Sequence, residues 1–480
     1  MFYNKLYIDG KWISSNLDEL IEVENPATRK IIGTVPKGNE VDVDLAVRSA
    51  ANAFLTWKDT PVEKRIAYME KALEHLKSQK ENLISMEVSE LGAPLKWAER
   101  AHVMGPIIRF ENYIRLIKNF NFSEKLKHAT IVKEPIGVIG CLTPWNYPLG
   151  QIMQKVIPAI LTGNTVVLKP SQIAPLSSMI LAEAFHKAEL PKGVFNLVTG
   201  RAGEVGNALA KHNAINMISF TGSTTGGKEV AKLALEDIKK VALELGGKSP
   251  LVILEDANLE LAVKAGLSSC YDNTGQTCAA LTRMIVPQSK LKEVESLIID
   301  LSKNYIVGDP EDVNTHMGPL ASYKQYEKVR SYIKLGINEG ANLIVGEIPK
   351  PLDELNGYGY YVKPTVFTNV HNNMRIAREE IFGPVICIIS YNNIDEAVKI
   401  ANDTVYGLSG AVFGSEELAN KIALEIRSGS VYVNDGKRDI DAPFGGYKQS
   451  GIGREGGIPG IEEFLEIKSV FNEVNSITKI

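Results

Sequence analysis

The chain has 480 residues, of which 44% are hydrophobic and 23% are charged, so it can bury the cores of two or three domains. Fifty-three Lys and Arg against 57 Asp and Glu give a net charge of -4, which lacks the basic excess that binding to nucleic-acid phosphates requires. No apolar run approaches the roughly 18 residues of a membrane span, and the start lacks the apolar core of a signal peptide. We therefore expect a soluble protein without nucleic-acid or membrane partners.

The chain contains four cysteines: Cys141, Cys270, Cys278 and Cys387. None forms a C-x-x-C pair, and the seven histidines show no metal-binding spacing. Sparse cysteines without a pairing pattern are typical of a reduced, cytoplasmic protein. We expect no metal site and at most one or two chemically active thiols.

The N-terminal 30 residues predict strands with a turn at Asn25-Pro26, and residues 40–120 predict helices from their three- and four-residue apolar spacing. Residues 128–142 return to strand character. Four helices and four strands then alternate over 152–247, and a second alternation covers 249–435. Such alternation predicts parallel, doubly wound sheets and therefore an α/β fold. The 460–480 tail is rich in strand-forming residues, and we expect it to pair with another segment or subunit.

Three loops carry glycine or lysine where a nucleotide could bind. GIGREG at 451–456 matches G-x-G-x-x-G, but it lacks a preceding strand and a full βαβ unit, so we interpret it as a flexible connection. FTGSTTGG at 220–227 follows a strand and opens a helix, which suits either a pyrophosphate or a simple helix cap. LKPS at 168–171 ends a buried strand, where Lys169 could contact a ribose or phosphate or could be an ordinary exposed lysine.

Three other residues are candidates for catalysis. Cys278 lies in a tight loop after Gly275, where a nucleophilic thiol would be accessible, although a lone cysteine is often a small buried apolar residue. Glu244 ends an apolar strand before two glycines, which suits a general base or a salt-bridged strand end. Asn146 lies between two prolines, where its amide could stabilise an oxyanion or simply form a turn. The residues taken singly leave these alternatives open.

In combination and order, the motifs resemble the aldehyde dehydrogenase superfamily over most of the chain. The matching segments are TPWNYPL (143–149), LKPS (168–171), FTGST (220–224), LELGGKSP (243–250), GQTCAALTR (275–283), EEIFGPV (379–385), NDTVYGL (402–408) and PFGGYKQSGIGRE (443–455). The resemblance implies oxidation of an aldehyde to a carboxylic acid with NAD or NADP, through a cysteine thiohemiacetal and thioester.

The resemblance also implies residue roles. Cys278 would be the nucleophile, Glu244 the general base, and Asn146 an oxyanion donor together with the backbone N–H of Cys278. The implied cofactor contacts are Trp145, Lys169 at the adenosine ribose, Ser171, Gln172, Gly222, Ser223 at the pyrophosphate, Gly246, Glu380 at the nicotinamide ribose, and Phe382 against the nicotinamide. The substrate tunnel would include Tyr147, Gln154, Asp272 and Phe444, and the polar Gln154 and Asp272 would favour polar or short aldehydes.

The implied fold is a Rossmann-like cofactor domain, an α/β catalytic domain and a small β oligomerisation arm. Residues 1–120 and 137–244 would form the NAD(P)-binding domain, 245–450 the catalytic domain, and 121–136 with 467–480 the arm. The arm would join subunits of a homodimer or homotetramer.

Because a glutamate at position 172 would repel the 2′-phosphate of NADP, Gln172 predicts that both cofactors are used.

Two alternative functions stay open. A CoA-acylating semialdehyde dehydrogenase would release its thioester to CoA, but such enzymes often lack the glutamate that Glu244 supplies here. A non-catalytic protein on the same fold would be expected to lack the cysteine, whereas Cys278 is present with Glu244 and Asn146.

Overall fold

The computed structural model describes residues 2–355 and 358–471. Its strands are β1 Leu6–Ile8, β2 Lys11–Ile13, β3 Leu20–Asn25, β4 Lys30–Pro36, β5 Ser123–Lys125, β6 Ala129–Pro135, β7 Val138–Leu142, β8 Thr165–Lys169, β9 Phe195–Leu197, β10 Met217–Thr221, β11 Lys240–Glu244, β12 Ser249–Ile253, β13 Leu281–Pro287, β14 Asn342–Val345, β15 Thr365–Thr368, β16 Val385–Tyr391, β17 Ser409–Phe413, β18 Ser430–Val433, β19 Gly451–Ile452 and β20 Leu465–Phe471.

The helices are α1 Glu40–Trp57, α2 Val62–Ser78, α3 Lys80–Leu91, α4 Leu95–Trp97, α5 Gly105–Lys118, α6 Pro148–Leu161, α7 Leu176–Lys187, α8 Asn207–Lys211, α9 Thr224–Leu235, α10 Leu259–Tyr271, α11 Leu291–Ser302, α12 Tyr323–Asn338, α13 Arg375–Arg378, α14 Ile394–Asn402, α15 Glu416–Glu425 and α16 Gly457–Glu462. A π-helical segment, Ala98–Met104, joins α4 to α5. Within the described residues, no helix is both long and apolar enough to cross a membrane.

The first large sheet has eight strands in the order β19-β11-β10-β7-β8-β9-β1-β2, and β11 through β9 run parallel. Alternate residues of β8 enter different cores: Val166 and Leu168 pack in one cluster, and Val167 packs in another. The strand is buried on both faces, which explains its continuous apolar run. Leu142 lies opposite Lys169 in this sheet, and Thr221 lies opposite Glu244, so the carboxyl ends of β7, β8, β10 and β11 meet at one edge.

The second large sheet has seven strands in the order β14-β15-β16-β13-β12-β17-β18, all parallel except β14. Its central strands also divide their residues between two cores, with Leu251 on one face and Val252 on the other. The chain enters this sheet directly from β11 through residues 245–248. The predicted α/β class with two parallel sheets therefore matches the architecture.

The smaller sheets come from the chain ends and from one insertion. β3 and β4 form a two-stranded ribbon, and β20 pairs antiparallel with β6, which also pairs with β5. The tail strand expected in 460–480 thus exists as β20, and residues 472–480 lie outside the described part of the chain.

The GIGREG segment is an ordered edge strand. Gly451 and Ile452 form β19, which pairs antiparallel with β11 opposite Glu244 and Leu243. The interpretation of this segment as a flexible connection is wrong, because its backbone supplies the outermost ladder of the eight-stranded sheet.

Candidate active site

A cavity of about 630 Å³ brings together most of the residues implied for cofactor binding and catalysis. Cys278 and Asn146 form part of its wall, which places the candidate nucleophile and the candidate oxyanion donor in one cavity. The other lining residues are Pro144, Trp145, Gln151, Thr221, Gly222, Ser223, Leu245, Gly246, Gln325, Lys328, Glu380 and Phe382.

Gly246 leaves room for the Glu380 carboxylate at the cavity wall. A Cβ atom on Gly246 would lie 2.6 Å from the Glu380 carboxylate, so no larger residue fits there without moving this side chain. The Gly247 N–H donates to Glu380 Oε1 at 2.9 Å and fixes the carboxylate beside the cavity. Burial raises the pKa of Glu380 despite that hydrogen bond.

Phe382 is held in a strained backbone conformation at the opposite wall. Its φ of 63° lies in the left-handed region, which is uncommon for an aromatic residue. The Gln325 amide donates to the Phe382 carbonyl at 2.6 Å and so stabilises this conformation. The Phe382 ring meets Trp145 edge-on, with centroids 5.4 Å apart. The strain keeps an aromatic ring at the cavity wall.

The residues implied for the rest of the cofactor follow the carboxyl edge of the eight-stranded sheet. Ser223 caps the twelve-residue helix α9, and its hydroxyl accepts from the Gly226 N–H at 3.1 Å. Lys169 is 5% exposed and, within the described residues, forms no salt bridge or hydrogen bond through its ammonium group; burial lowers its pKa to about 8. An unpaired buried cation and a helix N-terminus at the same edge of one sheet fit a nucleotide with its phosphates.

Ser171 and Gln172 occupy different environments at that edge. The Ser171 hydroxyl accepts from the Ile173 N–H at 3.2 Å and closes the turn after β8, whereas Gln172 is exposed. Gln172 can therefore reach a bound group without a rearrangement of the core. The cavity, Lys169 and the α9 terminus together fit a dinucleotide.

The loop that carries Cys278 is shaped by three consecutive left-handed residues. Asn273, Thr274 and Gly275 have φ values of 53°, 56° and 74°. A Cβ on Gly275 would lie 2.2 Å from the carbonyl carbon of Gly383, so only glycine fits between the two backbones. This contact turns the chain and presents Cys278 at the cavity.

The environment of the Cys278 thiol opposes its ionisation. Burial, followed by the nearby Glu380 and Glu244 carboxylates, raises the pKa of Cys278 to about 12. A backbone hydrogen bond with Ala279 acts in the opposite direction on this pKa. The other three cysteines are fully buried, as their apolar surroundings predicted.

Asn146 is fixed through both its side chain and its backbone. Its side-chain amide nitrogen donates to the Gln276 backbone carbonyl at 3.0 Å, and its backbone carbonyl accepts from the Asn273 side-chain amide at 2.8 Å. Because a primary amide carries two hydrogens, one remains to donate to a bound oxygen. Asn146 therefore has a fixed orientation next to Cys278, as an oxyanion donor requires.

Glu244 is buried but does not line the cavity. Within the described residues neither of its carboxylate oxygens has a hydrogen-bond partner, and a Cβ on Gly445 would lie 2.7 Å from its Oε1. Burial, and then the charge of Glu455, raise the pKa of Glu244 well above its ordinary value. To act on a group at Cys278, the side chain must rotate from beneath Gly445 towards the cavity.

The sequence analysis missed a buried ion pair beside Glu244. Lys155, the one charged residue of the mainly apolar helix α6, is 1% exposed and pairs with Glu455. Lys155 acts to lower the pKa of Glu244, whereas Glu455 acts to raise it. A lysine in the middle of an apolar helix was the available signal, because a buried lysine requires a partner.

Two of the four residues implied for a substrate tunnel line one cavity. Tyr147 and Asp272 line a separate open cavity of about 1080 Å³, with Thr277 and Ala279 on either side of Cys278. Gln154 and Phe444 do not line this cavity; both are buried, at 3% and 8% exposure. Of the two polar residues expected in the tunnel wall, Asp272 is the one that lines this cavity. Burial raises the pKa of Asp272 to about 6.

The family model described as the aldehyde dehydrogenase family matches residues 12–470. The chain belongs to the aldehyde dehydrogenase family. It is 47% identical over 469 residues to a Staphylococcus haemolyticus protein named as a candidate aldehyde dehydrogenase, covering 98% of each chain. The resemblance identified from the sequence motifs is confirmed.

Solved structures of aldehyde dehydrogenases share this fold. The Pseudomonas syringae aldehyde dehydrogenase C, a cysteine-to-alanine variant in complex with NAD+ and octanal, is 45% identical and superposes with a TM-score of 0.95, covering 98% of this chain and 96% of that one. The Mycobacterium tuberculosis aldehyde dehydrogenase with NAD+ is 39% identical, with a TM-score of 0.95 and 99% coverage of both chains. The predicted fold class is confirmed.

Because the pKa of Cys278 is raised to about 12, alkylation of this aldehyde dehydrogenase by iodoacetamide should accelerate as pH rises. The thiolate forms only above the pKa, so the rate should increase about tenfold per unit between about pH 7 and about pH 9, without a plateau. Mass spectrometry of the Cys278 peptide measures the rate, and Cys278→Ser is the control for labelling elsewhere. A plateau below about pH 8 would show a stabilised thiolate instead.

Proposed function

We propose that this protein oxidises aldehydes to carboxylic acids with NAD as hydride acceptor, in the broad class EC 1.2.1.3. The observation that carries the proposal is the shared cavity: Cys278 and Asn146 line it together with Gly246, Glu380 and Phe382. Cys278 and Asn146 supply a nucleophile and an oxyanion donor at the cavity wall. Gly246, Glu380 and Phe382 leave room to bind a flat ring and a ribose.

In the first step, the Cys278 sulfur would add to the aldehyde carbon, and the thiol proton would pass to a water molecule in the open cavity. Negative charge develops on the carbonyl oxygen, where the free Asn146 N–H and the Cys278 backbone N–H would donate. Loss of one such donor typically costs about 3–4 kcal/mol of transition-state stabilisation. The fixed Asn146 amide gives this stabilisation without reorganisation, since its hydrogen bond to Gln276 is already formed.

Bound NAD would supply hydride acceptance at this site and leave a thioester on Cys278. Lys169 and Gln172 would hold the adenosine ribose, with Ser171 shaping their turn, and Gly222 and Ser223 would border the pyrophosphate. Glu380 would accept hydrogen bonds from the nicotinamide ribose, and Phe382 and Trp145 would bound the ring. The close approach of Gly246 to Glu380 supports this arrangement.

In the second step, Glu244 would remove a proton from water, and the resulting hydroxide would attack the thioester to release the carboxylic acid. Only ionised Glu244 can act as the base. Because burial raises the pKa of Glu244, the active form appears as pH rises through that raised value. The Lys155–Glu455 pair beside it gives Glu244 polar neighbours in a site that is otherwise closed to solvent.

Glu244→Gln should separate the two steps. We expect about one equivalent of NADH in an initial burst, followed by a steady rate at least about 100-fold below the unmodified chain, because the variant lacks the base. The increase of the deacylation rate with pH should also disappear. Stopped-flow absorbance of NADH across a panel of aliphatic, aromatic, amino and semialdehyde substrates measures both phases.

Cys278→Ala is the control and should give no burst, while it still binds NADH. Wild-type turnover retained in Glu244→Gln would contradict the role of Glu244. Formation of acyl-CoA on addition of CoA would favour the CoA-acylating alternative.

We further propose that Gln172 permits use of NADP as well as NAD. Gln172→Glu should lower kcat/KM for NADP about tenfold relative to NAD. A carboxylate about 4 Å from the 2′-phosphate costs about 1 kcal/mol in water and about 4 kcal/mol near a protein surface, and the exposure of Gln172 favours the lower value. Gln288→Glu, at an exposed position after β13, is the matched control. An unchanged cofactor ratio would exclude Gln172 as the selector.

We propose that the eight-stranded sheet and its helices form the NAD(P)-binding domain of residues 1–120 and 137–244, and that the seven-stranded sheet forms the catalytic domain of residues 245–450. Residues 121–136 and 467–480 would form an oligomerisation arm. The structure adds Gly451–Ile452 to the first of these sheets, which lies beyond both expected boundaries. A cytoplasmic location stays a prediction.

The arm supports assembly into a homodimer or homotetramer. In the described part of the chain, β20 pairs only with β6, and its apolar Ile467 and Phe471 are 72% and 80% exposed. An open edge strand with exposed apolar residues commonly pairs with another chain. Ile467→Glu should reduce the mass measured by light scattering from that of an oligomer, with Leu424→Glu at a 90% exposed position on α15 as the control. A monomeric wild-type protein would contradict this proposal.

A further inference from the structure

A chain of buried polar side chains leads from helix α3 to the residues around Cys278. Glu87 on α3 and His102 in the π-helical segment have no exposed surface, and Asn273 is 3% exposed. His102 Nδ1 lies 3.4 Å from Glu87 Oε2, and His102 Nε2 lies 3.2 Å from Asn273 Oδ1. The mechanism above uses none of these three side chains directly.

The hydrogen bonds of Asn273 determine which nitrogen of His102 carries a proton. The Asn273 amide nitrogen donates to the carbonyls of Asn146, at 2.8 Å, and Gln276, at 3.2 Å, so its oxygen is the atom that faces His102. That oxygen can only accept, and His102 Nε2 must therefore be the donor. In a neutral ring, Nδ1 is then an acceptor directed towards Glu87.

Burial favours the neutral forms of both groups. It lowers the pKa of His102 to about 4 and raises the pKa of Glu87 well above its ordinary value, with the nearby Glu90 raising the latter further. The Ser177 hydroxyl acts in the opposite direction on Glu87. Glu87 and His102 Nδ1 form no hydrogen bond at their 3.4 Å separation, and a reorientation of either side chain would let a neutral Glu87 carboxyl donate to Nδ1.

His102 also contacts Tyr147, the residue that follows Asn146. Its ring stacks on Tyr147, with centroids 4.9 Å apart and planes 11° from parallel. The Tyr147 hydroxyl forms a hydrogen bond of 2.8 Å with Thr277, the residue before Cys278. One imidazole thus contacts Asn273 through its edge and Tyr147 through its face.

We propose that His102 is a positioning residue for the oxyanion amide. By donating to Asn273, it fixes the amide that holds the Asn146 carbonyl and the Gln276 carbonyl, and both of these determine the orientation of the Asn146 side chain. A neutral Glu87 carboxyl that donates to Nδ1 would support the same tautomer of His102. The inference rests on the proposed function, because the oxyanion forms only if Cys278 adds to a carbonyl.

Two substitutions of His102 separate the hydrogen bond from packing. His102→Phe keeps a ring that can stack on Tyr147 but has no N–H, whereas His102→Gln loses the ring and keeps an amide donor. We expect the NADH burst rate to fall about 10- to 100-fold in His102→Phe and to recover most of that loss in His102→Gln, with NADH affinity unchanged in both. His75→Phe, a partly buried histidine on α2, is the control and should match the wild type.

A purely structural role would give the reverse order, because the phenylalanine preserves volume and stacking better than glutamine does. A burst rate in His102→Phe equal to or above that of His102→Gln therefore overturns the proposal. So does a wild-type burst rate in His102→Phe.

Glu87 tests the second part of the chain. Glu87→Gln keeps a neutral donor and should retain most of the burst rate, whereas Glu87→Leu should resemble His102→Phe. Equal losses in both variants would overturn the neutral-donor assignment.

A measurement on the unaltered protein does not depend on variant folding or on catalysis. Selective 15N labelling of histidine should show His102 as the neutral Nε2–H tautomer near pH 7, and the opposite tautomer or a charged ring overturns the proposal. If no aldehyde gave an NADH burst, the proposed function would fail, while this spectrum would still report the state of His102.

Discussion

Close backbone approaches at three glycines hold the site together. Gly246 lies close to the Glu380 carboxylate, Gly247 to the Cys278 carbonyl, and Gly275 to the Gly383 backbone. At each of the three positions, a Cβ atom would overlap its neighbour. These contacts join the segment leaving the eight-stranded sheet to two loops of the seven-stranded sheet. The contacts of Gly247 and Gly275 are with backbone atoms, which cannot move aside as flexible side chains can, so they fix the loop of Cys278 relative to residues 247 and 383.

The same close packing removes water from the ionisable groups. Burial is the largest cause of the pKa shifts of Cys278, Glu244 and Lys169, and each shift favours the neutral form. In the absence of ligands, burial therefore favours the neutral forms of the candidate nucleophile Cys278 and the candidate base Glu244. Binding of charged ligands and rotation of Glu244 are the events that can change this balance.

Local sequence patterns predicted the features that depend on neighbouring residues. The alternation of helices and strands gave the two parallel sheets, and Gly275 marked the turn before Cys278. The features that were missed depend on long-range contacts: Lys155 and Glu455 are separated by 300 residues, and His102 and Asn273 by 171. The shortness of β19 also concealed it, since two residues show no alternation.

The four residues implied for a substrate tunnel depend on long-range packing in the same way. Tyr147 and Asp272, which lie within six residues of Asn146 and Cys278 along the chain, line one cavity. The side-chain directions of Gln154 on α6 and of Phe444 after β18 depend on packing that no local pattern encodes, and their place at the substrate stays a prediction.

The pairing of β19 with β11 has a consequence for the order in which the chain can mature. Glu244 lies at the end of β11, and the backbone that covers it comes from Gly451, more than 200 residues later. During synthesis, the outer edge of the first sheet stays open until almost the whole chain has left the ribosome. The candidate base Glu244 can therefore reach its buried position only after the C-terminal segment has been added, so a nascent chain that lacks this segment leaves Glu244 at an open sheet edge.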